Sequence, residues 1–214
     1  MIFRLAAVAI GYVFGLFQTG YLYGKTQGVD IRQHGSGNSG ATNTLRTLGK
    51  KAGAIAFFGD LMKAILPVLL VKFLFKDTFD GDIKLLEMYA GFGAVLGHNF
   101  PFYMKFKGGK GIASTGGVAI AVCPLTVPLC LGTFIICIKK TRYVSLGSIL
   151  MAILFFGQVV LFNAYGLLGI SQEAILEFNI LTFVFSALAI YRHRANIVRL
   201  LNGTENKLGE KAKK

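Results

Sequence analysis

Charge is scarce in this chain, and negative charge is scarcest. Only 15% of its 214 residues are charged, ten acids stand against 23 lysines and arginines, and the mean hydropathy is +0.59. A soluble domain of this size would carry more charge and interrupt its apolar runs every ~8–15 residues, so that class is excluded. Cysteine is equally sparse. Cys123, Cys130 and Cys137 are odd in number, lie inside apolar sequence and lack the close pairing of a metal site. That pattern excludes a disulfide framework and a metal cluster; the seven-residue spacing fits small apolar residues packed between helices. No small-x-small cleavage site follows the apolar stretch 1–23, which therefore reads as a first membrane span and not as a signal peptide.

What is present is apolar sequence in long runs. Those at 54–75, 144–162 and 174–191 approach the roughly 20 apolar residues that cross about 30 Å of hydrocarbon. Positive charge falls between them in blocks. Lys25, Arg32, Arg46, Lys50 and Lys51 lie in 25–53; Lys105, Lys107 and Lys110 in 98–110; Lys139, Lys140 and Arg142 in a short connector; and Arg192, Arg194, Arg199, Lys207, Lys211, Lys213 and Lys214 in the tail, 18 of the 23 in all. Six of the ten acids, Asp77, Asp80, Asp82, Glu87, Glu173 and Glu177, fall in or beside the two remaining connectors. Membrane proteins collect Lys and Arg in cytoplasmic loops, so the basic segments are expected inside and the acidic ones outside.

Parity then gives an all-α integral membrane protein, a single membrane-embedded domain over 1–214. Seven transmembrane or half-membrane helices are expected at about 1–24, 54–75, 84–97, 111–123, 125–138, 143–163 and 174–191, with the N-terminus outside and the C-terminus inside. Segment 111–138 must return to the side it left, and Pro124 and Pro128 interrupt it. A helical hairpin broken near Cys123–Pro124 is expected, with arms of only ~20 Å that lie against other helices or stop part-way through the bilayer.

Three polar segments are too specific in composition to be mere connectors, and the charge pattern puts all three on one face. The first, 31–46, reads IRQHGSGNSGATNTLR. Its small residues let backbone amides approach an anion closely, as in an anion-binding nest, and a helix starting near Ala41 would add its positive N-terminus. Ser36, Gly37, Asn38, Gly40, Asn43 and Arg46 are the candidates here. Gly35, Gly37 and Gly40 also fit G-x-G-x-x-G, but no strand precedes them and the acid about 20 residues on, Asp60, sits inside a span, so a Rossmann site is excluded. The second, 97–111, reads GHNFPFYMKFKGGKG. It lacks the spacing and the Ser/Thr of a nucleotide P-loop, yet its tandem glycines and flanking cations make a phosphate cradle from His98, Lys105, Lys107, Gly108, Gly109, Lys110 and Gly111. The third follows the last span, where spacings of three and four bring His193, Asn196 and Arg199 to one helical face. A basic amphipathic helix lying on anionic lipid is an equally good reading of that segment. Asp60 and Lys63, at i and i+3 inside the second span, are an ionisable pair that must face a polar cavity or each other.

These segments, IRQHGSGNSGATNTLR, GHNFPFYMKFKGGKG and HRANIVRLLNGTENK, resemble the three cytoplasmic motifs of the bacterial acyl-phosphate–glycerol-3-phosphate acyltransferase family (PlsY). The likeness runs the length of the chain and takes in DLMK at 60–63 and RYVSL, with Ser145, at 142–146. It departs at Ala64, where glycine is frequent, and at Ser114, in a stretch that is often alanine-threonine. The resemblance implies transfer of a fatty acyl group from acyl phosphate to the 1-hydroxyl of glycerol 3-phosphate, giving lysophosphatidic acid and phosphate, an early step of phospholipid synthesis. It implies no metal, no cofactor and no coenzyme A donor. Ser36 and Arg46 match an essential serine and arginine, Gly108 to Gly111 the glycerol-phosphate-binding motif, His193 and Asn196 a functional pair, and Glu205 a structural acid. The expected partners are the two substrates and membrane lipid, not nucleic acid, and the expected location is the bacterial inner (cytoplasmic) membrane.

The chemistry suits such a site. An acyl phosphate carries its own good leaving group, so the protein needs chiefly to hold two anions together and stabilise an oxyanion. Arg46, Lys105, Lys107 and Lys110 would offset the phosphate repulsion. The proton acceptor stays open among His34, His98, His193 and a substrate phosphate oxygen. The His–x4–Asp pattern of soluble-type glycerolipid acyltransferases is absent, since Ser39, Tyr103 and Val198 occupy the fifth positions after the histidines. Two rivals are a small permease for glycerol phosphate or another anion, which would need polar residues near the midplane and often shows inverted repeats, and a lipid-binding scaffold, which leaves the tandem glycines unexplained. The topology is testable directly: a cysteine placed at Phe79 should react with an impermeant reagent added outside, and one at Thr141 should not. The reverse pattern would invert the assignment.

Overall fold

A computed structural model describes residues 1–210; Lys211, Lys213 and Lys214 of the basic tail lie outside the described residues. Among those described, the chain forms ten α-helices: α1 (Ile2–Gly15), α2 (Thr19–Thr26), α3 (Ala41–Leu48), α4 (Lys50–Phe75), α5 (Ile83–Asn99), α6 (Ile112–Val122), α7 (Val127–Thr141), α8 (Val144–Ala164), α9 (Gln172–Arg192) and α10 (Arg194–Leu201). Five stretches are long and apolar enough to cross a membrane: Ile2–Thr26, α4, Pro124–Thr141, α8 and α9. α6, with 11 residues, and α5, with 17, fall short of that length.

Helix faces sort by what they meet. On α4 the exposed side chains Phe58, Met62, Leu66, Leu69 and Phe73 recur every three or four residues, a stripe left for lipid. Its opposite stripe, Ala52, Ala56, Asp60, Lys63, Ala64 and Val68, is buried. Lipid is as apolar as leucine, so helix association here depends on close van der Waals contact through small residues. α1 and α5 each carry a G-x-x-x-G pair, Gly11 with Gly15 and Gly93 with Gly97. A Cβ at Gly11 would stand 1.9 Å from the Ala90 carbonyl oxygen, and one at Gly93 2.1 Å from that of Val8. The two backbones touch.

The first span is not the continuous helix expected over 1–24. It breaks at Leu16–Gln18 between α1 and α2. A helix end leaves carbonyls without intrahelical partners, and in a membrane protein these must be satisfied by other groups. Gln18 Nε2 donates to the Gly15 oxygen at 3.2 Å, and Lys63 Nζ donates to the Phe17 oxygen at 2.7 Å. One local partner and one far along the chain thus hold the break open. The second break falls at Cys123, where a 3-10 turn, Pro124–Thr126, joins α6 to α7. Thr126 Oγ1 donates to the Cys123 oxygen at 2.7 Å and Gln158 Nε2 to the Thr126 oxygen at 3.4 Å. Cys123, Cys130 and Cys137 are buried and free.

At one end of the bundle the two acidic connectors meet. Asp82 Oδ2 accepts from the Ser171 amide at 2.7 Å, Lys84 donates to the Leu168 carbonyl, and Arg4 clasps Glu177 at 2.6 and 2.7 Å with Tyr89 donating to the same carboxylate. The three glycine-rich or basic segments lie at the other end. The α1–α5 contact makes a clear demand: Gly93→Ala should lower thermal stability in detergent by about 1–3 kcal/mol, the usual result of overpacking. Gly132→Ala, where an added Cβ meets nothing within 4 Å, should be neutral or stabilising. Equal melting temperatures for the two variants would contradict the contact.

Candidate active site

The first segment is shaped by one side chain. Asn43 lies in the first turn of α3; its Nδ2 donates to the carbonyls of Ile31 (2.8 Å) and His34 (3.0 Å), and its Oδ1 accepts from the Ser36 amide at 2.8 Å. Gly35 and Gly37 take the left-handed conformation, φ +58° and +71°, which glycine adopts without steric penalty. The amides of Gly37 and Gly40 are also engaged, with the His34 carbonyl and Asn38 Oδ1. Asn43, expected to touch phosphate, instead spends its amide on the loop, and three amides of the expected nest are used internally. Further donors belong to the start of α3, which has no side-chain cap, so Ala41 and Thr42, both on the cavity wall, present unpaired first-turn N–H groups.

The second segment is folded against α5. Gly108 and Gly109 amides donate to the Asn99 and His98 carbonyls, both at 3.1 Å, and Arg192 donates to the Gly108 and Gly109 carbonyls at 3.0 and 2.8 Å. A Cβ on Gly109 would lie 1.8 Å from His98 Nε2, so glycine is required by the ring beneath it. Gly111, at φ +82°, then starts α6. Lys110 points inward; Lys105 and Lys107 are exposed and lie outside the cavity wall, as do Gly37, Gly108 and Gly109.

The third segment closes the site. Past α10 the chain turns at Gly203 and brings buried Glu205 back, where its carboxylate accepts from Asn196 Nδ2 and Arg199 Nε, each at 2.8 Å. Lys110 donates to Asn196 Oδ1, and Arg46 donates to the Asn206 carbonyl at 3.1 Å. His193 donates from Nδ1 to the Ala189 carbonyl at 2.7 Å, because a carbonyl only accepts, and its Nε2 is left as a lone pair. Ser145, at the start of α8, has a buried hydroxyl without a hydrogen-bond partner, and Arg46 Nε is in the same state.

These pieces enclose a cavity of about 130 Å³ lined by Ser36, Asn38, Gly40, Asn43, Arg46, Asp60, His98, Lys110, Gly111, Ser145, His193, Asn196, Arg199 and Glu205 among others. It adjoins an apolar groove of about 300 Å³ between α4, α6, α7, α8 and α9; Phe57, Ile112, Ala113 and Phe134 line both. Residues 5–203 match the family described as glycerol-3-phosphate acyltransferase. The chain belongs to the glycerol-3-phosphate acyltransferase family. The glycerol-3-phosphate acyltransferase of Alkaliphilus metalliredigens (strain QYMF) is 44% identical over 210 residues, 97% of each chain. That of Clostridioides difficile (strain 630) is 42% identical over 212 residues, 98% of each. The crystal structure of PlsY (YgiH), an integral membrane glycerol 3-phosphate acyltransferase, in its glycerol 3-phosphate form superposes with a TM-score of 0.81 at 36% identity over 96% of both chains. Its lysophosphatidic acid form gives 0.79 at 35%. With the family fixed, the chain is read as a multi-pass integral membrane enzyme.

Within this acyltransferase scaffold the electrostatics are one-sided. Burial is the largest influence on Lys110 and pushes its ammonium down to about 8; Arg199, Arg46 and Arg192 add to this, opposed by Glu205. Burial also lowers Arg46, though a guanidinium keeps its charge at neutral pH. Burial and then Lys110 bring His193 down to about 4, so it is neutral at pH 7. A phosphate monoester, with its second pKa at about 6, is already mostly doubly charged at pH 7, so the site titrates more than the ligand between pH 7 and 9. Lys110 loses its proton as pH rises through about 8, and affinity for glycerol 3-phosphate should therefore fall by up to about tenfold from pH 7 to 9. Lys110→Arg should flatten the decline. Equilibrium binding across that range checks both, and a flat wild-type profile would contradict the assignment.

Proposed function

We propose that residues 1–214 act as one membrane-embedded domain that transfers a fatty acyl group from acyl phosphate to the 1-hydroxyl of glycerol 3-phosphate. The observation that carries this reading is the junction of a cationic cavity with an apolar groove. One substrate has an anionic head on a long hydrocarbon tail and the other is a small anion, and the two compartments meet at Phe57, Ile112, Ala113 and Phe134. The scissile carbonyl then lies at the boundary, the phosphates lie among Arg46, Lys110, Ser145 and the start of α3, and the tail follows α6. Cations and amides on the phosphate and the developing oxyanion lower the barrier electrostatically.

The hydroxyl oxygen attacks the acyl carbon to form the ester bond, the bond from that carbon to the phosphate oxygen breaks, and the proton ends on the departing phosphate. His193 Nε2 is oriented to accept the hydroxyl hydrogen bond, but at about 4 it is a weak base, and a phosphate oxygen is the stronger final acceptor. Ser36 is exposed, and this favours a role in binding over an acyl-enzyme. The basic segments at the cavity end support a cytoplasmic site, an outside N-terminus and the bacterial inner membrane as its location. A permease is disfavoured by the groove, whose only hydroxyl-bearing residues are Thr115 and Ser186.

Purified protein given acyl phosphate and labelled glycerol 3-phosphate should produce a labelled lipid-soluble product. Arg46→Ala should abolish that product while leaving the protein membrane-inserted. Uptake into vesicles without acylation, near-normal turnover by Arg46→Ala, or a stoichiometric acyl-Ser36 adduct would each overturn part of the mechanism.

A further inference from the structure

Beneath the second segment lies a buried ionic cluster of which acyl transfer as described leaves Asp60 and Lys63 unused. Lys63, Asp60 and His98 are 4%, 2% and 3% exposed. The Lys63 ammonium has three donors and three neighbours: Asp60 Oδ1 at 2.8 Å, the Phe17 carbonyl at 2.7 Å and His98 Nδ1 at 2.7 Å. Asp60 Oδ1 to His98 Nδ1 is 3.6 Å, too long for a hydrogen bond. An ammonium has no acceptor, so at 2.7 Å His98 Nδ1 must supply the lone pair and the ring proton must sit on Nε2. Both polar neighbours are on the Nδ1 side. Nε2 lies where a Cβ of Gly109 would be, and His98 lines the cavity.

We propose that Asp60 and Lys63 are positioning residues that hold His98 in its Nε2–H tautomer, making it a neutral donor to an anionic oxygen of the bound substrate. Ser114 Oγ, bonded to the Asp60 carbonyl at 3.0 Å, fastens the same turn of α4 to α6. Gln18 Nε2, bonded to the His98 carbonyl at 3.1 Å, fixes the backbone that carries the ring. The two cavity histidines then carry opposite tautomers, His193 with a bare Nε2 and His98 with a protonated one. A buried ion pair made only for stability would be a poor investment, because two charges must be desolvated; tautomer control gives this pair a purpose. The inference rests on the phosphate-handling reading of the cavity.

The test is 15N–1H two-bond spectroscopy of the full-length protein labelled at histidine, with the His98 signals assigned by their loss in His98→Gln. His98 should show a protonated Nε2 and a bare Nδ1, and its Nε2 resonance should move on saturation with glycerol 3-phosphate. A bare Nε2, an imidazolium, or an Nε2 unmoved by saturating ligand would overturn the proposal. Kinetics give an independent reading. Lys63→Met should lower kcat at least tenfold in the wild-type background but less than twofold in His98→Gln, whose amide places a donor near the same point without Lys63. Equal losses in both backgrounds would overturn it too. If Lys63→Met does not fold, the wild-type spectrum decides alone. A protein that passes the spectroscopic test yet forms no acylated product would sink the acyltransferase reading and leave this one standing.

Discussion

Like charges crowded at the rim of a lipid-embedded bundle are the constraint to which the remainder of the structure answers. Arg46, Lys110, Arg192 and Arg199 converge there around the buried carboxylate of Glu205. Glu205 is satisfied by Asn196 and Arg199 alone, so the other cations are held by carbonyls and amides that cancel little charge. Such an arrangement is costly when empty and favourable when anions enter, and the cost is met by packing elsewhere. The lowered Lys110 and the orphaned Ser145 hydroxyl are two signs of the same unmet demand.

Holding that rim together requires rigid helices, and the bilayer offers little hydrophobic force between them. The glycine pairs of α1 and α5 supply close contact in its place. Both helix breaks serve the site. The break at Leu16–Gln18 exposes the Phe17 carbonyl to Lys63, and the one at Cys123 turns α7 back so that Phe134 and Ser145 reach the cavity wall. Ser114 bridges α6 to α4. The polar cavity and the apolar groove are thus products of one set of helix crossings.

Much of this was legible in the primary sequence. Blocks of Lys and Arg marked which loops would gather, and Pro124 marked the hairpin break, because both signals are local. The break in the first span was not read from the sequence, although Gln18 and Thr19 stand at it: Lys63, which satisfies the freed Phe17 carbonyl, is brought there only by tertiary structure. The G-x-x-x-G pairs were visible as a pattern and would have forecast the α1–α5 contact. Composition misled for Lys105 and Lys107, since a cation beside tandem glycines need not face the same way as they do; Lys105 and Phe106 take left-handed turns that carry that stretch outward. Asn43 was singled out from the sequence, but its work as the loop's internal brace depends on an amide seven residues away and on carbonyls nine and twelve residues away.

The central claim is that three separated segments jointly hold one anion. Dipolar recoupling between the 31P nucleus of bound glycerol 3-phosphate and 15N labels on Arg46 and Lys110 measures this most directly. The account predicts one phosphorus within hydrogen-bonding reach of both side chains at once. A phosphorus coupled to neither side chain, or to one of them alone, would contradict it.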